Sequence, residues 1–106
     1  MTQHIQNILS EFKSRLSELY GDRLDRVILY GSQARGDAQP DSDIDVLVVL
    51  KGTVNPWQEI LHSENVTADV SRRHGAVIST VFVSESEFHR QGEPLLVTVH
   101  KEGIAF

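Results

Sequence analysis

The chain has 106 residues, 40% of them hydrophobic and 24% charged, which allows one domain with a single core and excludes a multidomain polymerase, a repeat array or a disordered tail. It contains no cysteine, which removes a disulfide framework, a thiolate zinc site and a cysteine nucleophile together. Its formal net charge of −5 opposes binding to nucleic-acid phosphates through a broad basic surface, whereas a nucleotide triphosphate can still bind where metal ions supply positive charge.

Ile5, Ile8, Leu9, Phe12, Leu16 and Leu19 recur at helical spacing over residues 4–20, and Gly21 is placed to end that amphipathic helix. Arg26–Tyr30 (RVILY) reads as a short buried strand ending in Gly31. Residues 31–42, rich in Gly, Ser, Asp and Pro, form a connection with at most one helical turn. Ile44–Leu50 (IDVLVVL) is apolar on both faces and predicts a central strand. Gly52 to Pro56 reads as a loop. A helix then ends before Gly75, with Trp57, Ile60, Leu61, Ala68 and Val70 as its core side. Ala76–Val83 is the third strand, and Ser84 with Glu87 is a capping box that starts a short helix. Pro94 and Gly103 bracket a last helix, favoured over the strand that Leu95, Val97 and Val99 would also fit. The elements make one α/β unit, a single domain over residues 1–106 with a small sheet flanked by helices. The longest apolar run, Val46–Leu50, is far short of the roughly 20 residues that span a bilayer. The opening MTQHIQNILSEFKSR lacks a basic start and an apolar segment, so no secretion signal and a cytoplasmic location are expected.

The chemistry concentrates between the first two strands. Gly31-Ser32, ten residues, then Asp43-x-Asp45 is a skeleton that this composition produces by chance in roughly one such sequence in 400. Residues i and i+2 of a strand share a face, so Asp43 and Asp45 project together while Ile44 enters the core. Two aligned carboxylates repel each other unless a cation lies between them, and they are hard oxygen ligands suited to Mg²⁺ shared with phosphates. Gly31 lets backbone approach a phosphate closely, and Ser32 can donate an N–H and a hydroxyl to phosphate oxygens. Paired metals would orient an attacking oxygen and stabilise a leaving pyrophosphate. Arg35 reads equally as a triphosphate contact or as a salt bridge to Asp37. Asp37 and Asp41 shape the connection, and Lys51 is a surface charge at the far end of the strand.

With its flanking strand RVILY and the leading helix, the segment GSQARGDAQPDSDIDVLVV resembles the signature of the minimal nucleotidyltransferases, small members of the DNA polymerase β-like superfamily. The resemblance covers most of residues 1–83. It implies a small mixed sheet flanked by helices and transfer of AMP from ATP to an acceptor hydroxyl. It further implies that Gly31 and Ser32 hold the triphosphate and that Asp43 and Asp45 bind Mg²⁺. Many such proteins are antitoxins that add AMP to a tyrosine of a HEPN-type ribonuclease toxin, so the resemblance implies that partner and a hetero-oligomer.

One feature departs from the family pattern, which takes a third carboxylate from the next core strand as general base. AVISTVFVS holds no acid, and Ser79 or Val81 stands at the expected position; Asp69, Glu85 and Glu87 are the substitutes within reach in sequence. A non-catalytic antitoxin acting by binding alone, and a nucleotide sensor, are the alternatives this leaves. His4, His62, His74, His89 and His100 form no pair at i, i+2 or i, i+4, so a zinc site is not expected. The hydrolase elbow G-x-S-x-G and the P-loop pattern are absent. Trp57 and Tyr30 read as core aromatics.

Overall fold

Residues 1–90 and 92–106 are described by a computed structural model. Thr2 caps the first helix, α1 (Gln3–Tyr20), by accepting the Ile5 N–H on its hydroxyl oxygen at 3.2 Å, and Gly21 ends it. A single 3₁₀ turn leads into β1 (Leu24–Tyr30), followed by the one-turn helix α2 (Ser32–Arg35) and β2 (Ile44–Leu50). The remainder is α3 (Pro56–His74), β3 (Ile78–Ser84), the single turn α4 (Glu85–Phe88), α5 (Pro94–Glu102) and β4 (Ile104–Ala105).

The strands lie in the order β3-β2-β1-β4. β1 runs antiparallel to β2 and to β4, and β3 runs parallel to β2 through the α3 crossover, so the sheet is mixed. β2 is central, as its two-sided apolar pattern predicts. Ile44, Val46, Val48 and Leu50 face α1, where Ile8, Leu9, Phe12 and Leu16 are buried. Leu47 and Val49 face the opposite layer with Ile28, Val83, Phe88, Leu96 and Val99. Each buried side chain of this size contributes about 1.5–3 kcal/mol. The expected helix over Pro94–Glu102 forms, with Pro94 in its first turn and Gly103 at its end. β4 was not legible, because two residues carry no periodicity.

The inner face of α3 is a correction. Trp57 is 67% exposed, Ile60 37% and Leu61 49%, and Ala68 is exposed too. Glu59, Ser63, Val66 and Val70 share one helical stripe and turn it inward. The polar members of that stripe are tolerated because they are paired. Tyr20 Oη donates to Glu59 Oε1 at 2.9 Å, Arg23 Nη2 donates to Glu59 Oε2 at 3.2 Å, and Ser63 Oγ donates to the Glu59 carbonyl at 2.8 Å. Burial of a hydrogen-bonded carboxylate thus displaces Trp57 from the core it was assigned to. Tyr30 is half-buried against the α4–α5 layer, closer to its expected role.

Candidate functional site

The β1–β2 ladder decides which residues meet. Its register pairs Tyr30 with Asp45, so the end of β1 and the start of β2 lie side by side and the turn at Gly31 abuts the carboxylates. Gly31 adopts φ 78°, ψ −158°, a conformation open essentially only to glycine. A Cβ built there would overlap Asp45 Oδ2 and stand 3.2 Å from Asp45 Cγ. Both the backbone angle and the close approach therefore require glycine. Ser32 opens α2 and is half-buried. The turn is closed by the Ala34 and Arg35 N–H groups on the Gly31 carbonyl at 3.1 and 3.0 Å, and by those of Gly36 and Asp37 on the Ser32 carbonyl at 2.9 and 3.1 Å.

Asp43 is exposed just before β2, and Asp45 is half-buried within it. Ser79 of β3 pairs with Asp45 in the parallel ladder, and its hydroxyl donates to Asp43 Oδ2 at 3.3 Å. Asp43, Asp45 and Ser79 thus share one face of the sheet. Burial pushes the Asp45 carboxyl above its ordinary range; the charges of Asp43 and Glu102 push it the same way, and Arg35 pulls it down. Burial also raises the Tyr30 phenol, with the Asp45 charge adding to it. A cation placed against this pair would offset both the burial of the Asp45 carboxylate and the Asp43 charge beside it. Two carboxylates with open positions suit Mg²⁺, which is commonly held by one or two protein carboxylates and completed by substrate phosphates. Among the described residues no group of three or more His, Cys, Asp or Glu is arranged to hold a metal unaided.

The five expected site residues Gly31, Ser32, Arg35, Asp43 and Asp45 gather at one end of the sheet. Arg35 keeps both of its readings open, because its Nε donates to Asp37 Oδ2 at 3.1 Å while its Nη1 reaches a different carboxylate. The three candidates for a substitute acid lie elsewhere. Glu87 closes the capping box with Ser84, and Glu85 opens the same turn, at the end of β3 beside Leu50, the far end of β2 from Asp45. Asp69 sits on α3 and is held by Arg15 and Arg72 at 2.8 Å each. Ser79 is the β3 residue opposite Asp45, as its place in the strand predicts.

Sequence reasoning missed Glu102. The Gly31 N–H donates to Glu102 Oε1 at 3.3 Å, and Arg35 Nη1 donates to the same carboxylate at 3.1 and 3.3 Å. The only hint was chemical: an acid in the last turn of a helix opposes the helix dipole and needs a compensating cation.

Residues 9–95 match the family described as the nucleotidyltransferase domain. MJ0141 of Methanocaldococcus jannaschii, named as a candidate protein adenylyltransferase, is 37% identical over 84 residues, covering 77% of this chain and 82% of its own. A toxin–antitoxin crystal structure with AMP-PNP aligns with a TM-score of 0.63 at 17% identity, over 89% of this chain and 68% of the other. A tri-AMPylated Shewanella oneidensis HEPN toxin in complex with an MNT antitoxin aligns with a TM-score of 0.51 at 15% identity, over 92% of this chain and 70% of the other. At these identities the two complexes establish likeness of fold.

Proposed function

The chain belongs to the nucleotidyltransferase domain family, and from that premise we propose that it transfers AMP from ATP to a hydroxyl of a partner protein, as the antitoxin of a HEPN/MNT pair. The reading takes residues 1–106 as one nucleotidyltransferase domain working in the cytoplasm, with a HEPN-type ribonuclease toxin as partner. The observation that carries it is the contact of Gly31 with Asp45, which sets a phosphate-ready turn against two carboxylates. The names of MJ0141 and of the aligned toxin–antitoxin complexes support the choice of AMP and of a protein acceptor.

In this reading Gly31 and Ser32 direct N–H and hydroxyl donors at the triphosphate, and the Arg35 guanidinium, exposed beside them, takes part of its charge. Asp43 and Asp45 would hold Mg²⁺, which would supply positive charge to offset that of the phosphates. The acceptor oxygen bonds to the α-phosphorus and gives up its proton to solvent water, the bond to pyrophosphate breaks, and pyrophosphate leaves with the electron pair. Phosphoryl-type transfer needs chiefly such positioning and charge neutralisation. The β3 position facing the carboxylates offers only the Ser79 hydroxyl, which is no base at neutral pH.

The test is label transfer from α-labelled ATP with Mg²⁺ to a HEPN-type ribonuclease encoded beside the chain. Asp43→Asn/Asp45→Asn should lower transfer by at least a hundredfold; unchanged transfer refutes the assigned mechanism. Ser79 in place of an acid favours one second reading, neutralisation of the partner by binding alone. That reading requires the double Asn variant to protect cells from the toxin as well as the native chain does.

A further inference from the structure

Two of the three donor residues assigned to phosphate, Gly31 and Arg35, are already engaged by an anion of the chain itself. Glu102 accepts the Gly31 N–H at 3.3 Å and pairs with Arg35 at 3.1 Å, and its side chain is only 15% exposed. Gly31 and Glu102 are 71 positions apart in sequence, so the contact is built by the fold. Gly103 fixes the end of α5 in that position. A Cβ on Gly103 would overlap the Val99 carbonyl oxygen and lie 2.6 Å from Ile28 Cγ2, so the end of α5 presses directly on β1. β4 then pairs with the same strand at Ile28 and Leu29, fixing Glu102 beside the turn that follows β1.

Helix energetics do not favour a carboxylate there. The last turn of α5 presents the negative end of its dipole, and the His100 ring of that turn is directed to the Phe88 carbonyl, 2.8 Å from its Nε2, rather than to Glu102. The negative charge of Asp45 opposes Glu102 as well. What holds Glu102 is the anion-binding capacity of Gly31 and Arg35. A carboxylate and a phosphate present such donors with the same thing, charged oxygens able to accept two or three hydrogen bonds.

We propose that Glu102 is a built-in competitor for the triphosphate: its carboxylate fills the anion position at Gly31 and Arg35, and a nucleotide engages those donors only after Glu102 has swung out. The proposal rests on the nucleotide-binding reading given above and names how that site is regulated. The affinity the chain displays for nucleotide is its intrinsic affinity scaled by the fraction with Glu102 displaced. Any partner that draws the end of α5 away from β1 thereby raises nucleotide affinity.

Binding to the full chain, followed by calorimetric titration with Mg²⁺–ATP, with tripolyphosphate and with adenosine, tests this without reference to turnover. Glu102→Gln, which keeps the volume and removes the charge, should tighten ATP and tripolyphosphate about tenfold and leave adenosine unchanged. Glu102→Ala should do the same, and thermal unfolding of both variants establishes that they are folded. Equal affinity in native and variant chains overturns the competition. Weaker binding in the folded variants also overturns it, and makes Glu102 part of the cation-holding set. If neither native nor variant chains bind ATP or tripolyphosphate, the nucleotide reading itself falls and the competition with it.

Discussion

Replacing Gly31 by alanine separates two penalties that coincide at this turn. The first is conformational: at φ 78°, ψ −158° a side chain is held in a region essentially reserved for glycine, at a cost of about 1–3 kcal/mol. The second is a collision with the Asp45 carboxylate, which must leave its rotamer at a cost of about 0.5–1.5 kcal/mol. Part is returned because alanine lowers the entropy of the unfolded chain by about 0.4–1 kcal/mol, so the net expectation is a loss of about 0.5–4 kcal/mol. Gly36 is the control. It has a similar φ of 85° with ψ 12°, and its Cβ would meet nothing within 4 Å, so Gly36→Ala carries a left-handed penalty of about 1–2 kcal/mol before the same entropic return.

Urea unfolding at pH 7, with unchanged slopes, reads the difference. Gly31→Ala should cost about 1 kcal/mol more than Gly36→Ala, and Asp45→Ala should remove that excess. The coupling in the cycle Gly31→Ala with Asp45→Ala is therefore about 1 kcal/mol. Equal costs at the two glycines, or additivity of Gly31→Ala with Asp45→Ala, would refute the claim that Gly31 and Asp45 touch.

Asp69 gives a pH dependence. The Arg15 hydrogen bond, opposed by desolvation and helped by the charges of Arg73, Arg15 and Arg72, holds its carboxyl below the ordinary carboxylate range. Its contribution is complete above the unfolded value near about 4 and is lost as pH falls through the lower folded value. Asp69→Asn should thus be less stable than the native chain at neutral pH, with the gap closing below about pH 4; a gap in urea midpoints that stays constant down to pH 2 excludes this account. Tyr20→Phe leaves the buried Glu59 Oε1 without its phenolic donor and should cost about 1–2 kcal/mol in thermal or urea unfolding; a loss below about 0.5 kcal/mol would show that Arg23 alone satisfies Glu59.

The strands and helices were legible wherever one periodicity dominated. β2 declares itself because all its residues but Asp45 are apolar, and α1 because its apolar positions form one stripe. α3 misled because hydrophobicity marks its outer face as strongly as its inner one. Trp57, Ile60 and Leu61 lie on one side, and Glu59 and Ser63 enter the core only because Tyr20 and Arg23, distant in sequence, bring hydrogen-bond partners. No local pattern encodes a partner 36 or 39 positions away. The motif residues were legible for the opposite reason. Gly31, Asp43 and Asp45 are close in sequence, and a single antiparallel ladder with Tyr30 opposite Asp45 is enough to bring them together.

Charge counting at that end of the sheet links the missing β3 acid to Glu102. Four carboxylates crowd there: Asp37 and Glu102 pair with Arg35, whose charge also reaches Asp45, and Asp43 lies beside Asp45. A triphosphate brought in with one divalent cation adds net negative charge to a site already in excess of it. Two things lower that barrier: a second cation between Asp43 and Asp45, or departure of Glu102 from Arg35. The second needs no further ligand, only rotation of one side chain at the end of α5. With Ser79 rather than an acid on β3, the site carries one negative charge fewer beside Asp43 and Asp45, and Glu102 restores it from a position that can be vacated. An acid fixed on β3 could not leave to admit the substrate; an acid on a helix end can. The native chain and Glu102→Gln should therefore converge in ATP affinity as Mg²⁺ is raised, because added cation and lost carboxylate relieve the same excess charge; a tenfold difference that persists at saturating Mg²⁺ would refute this charge account.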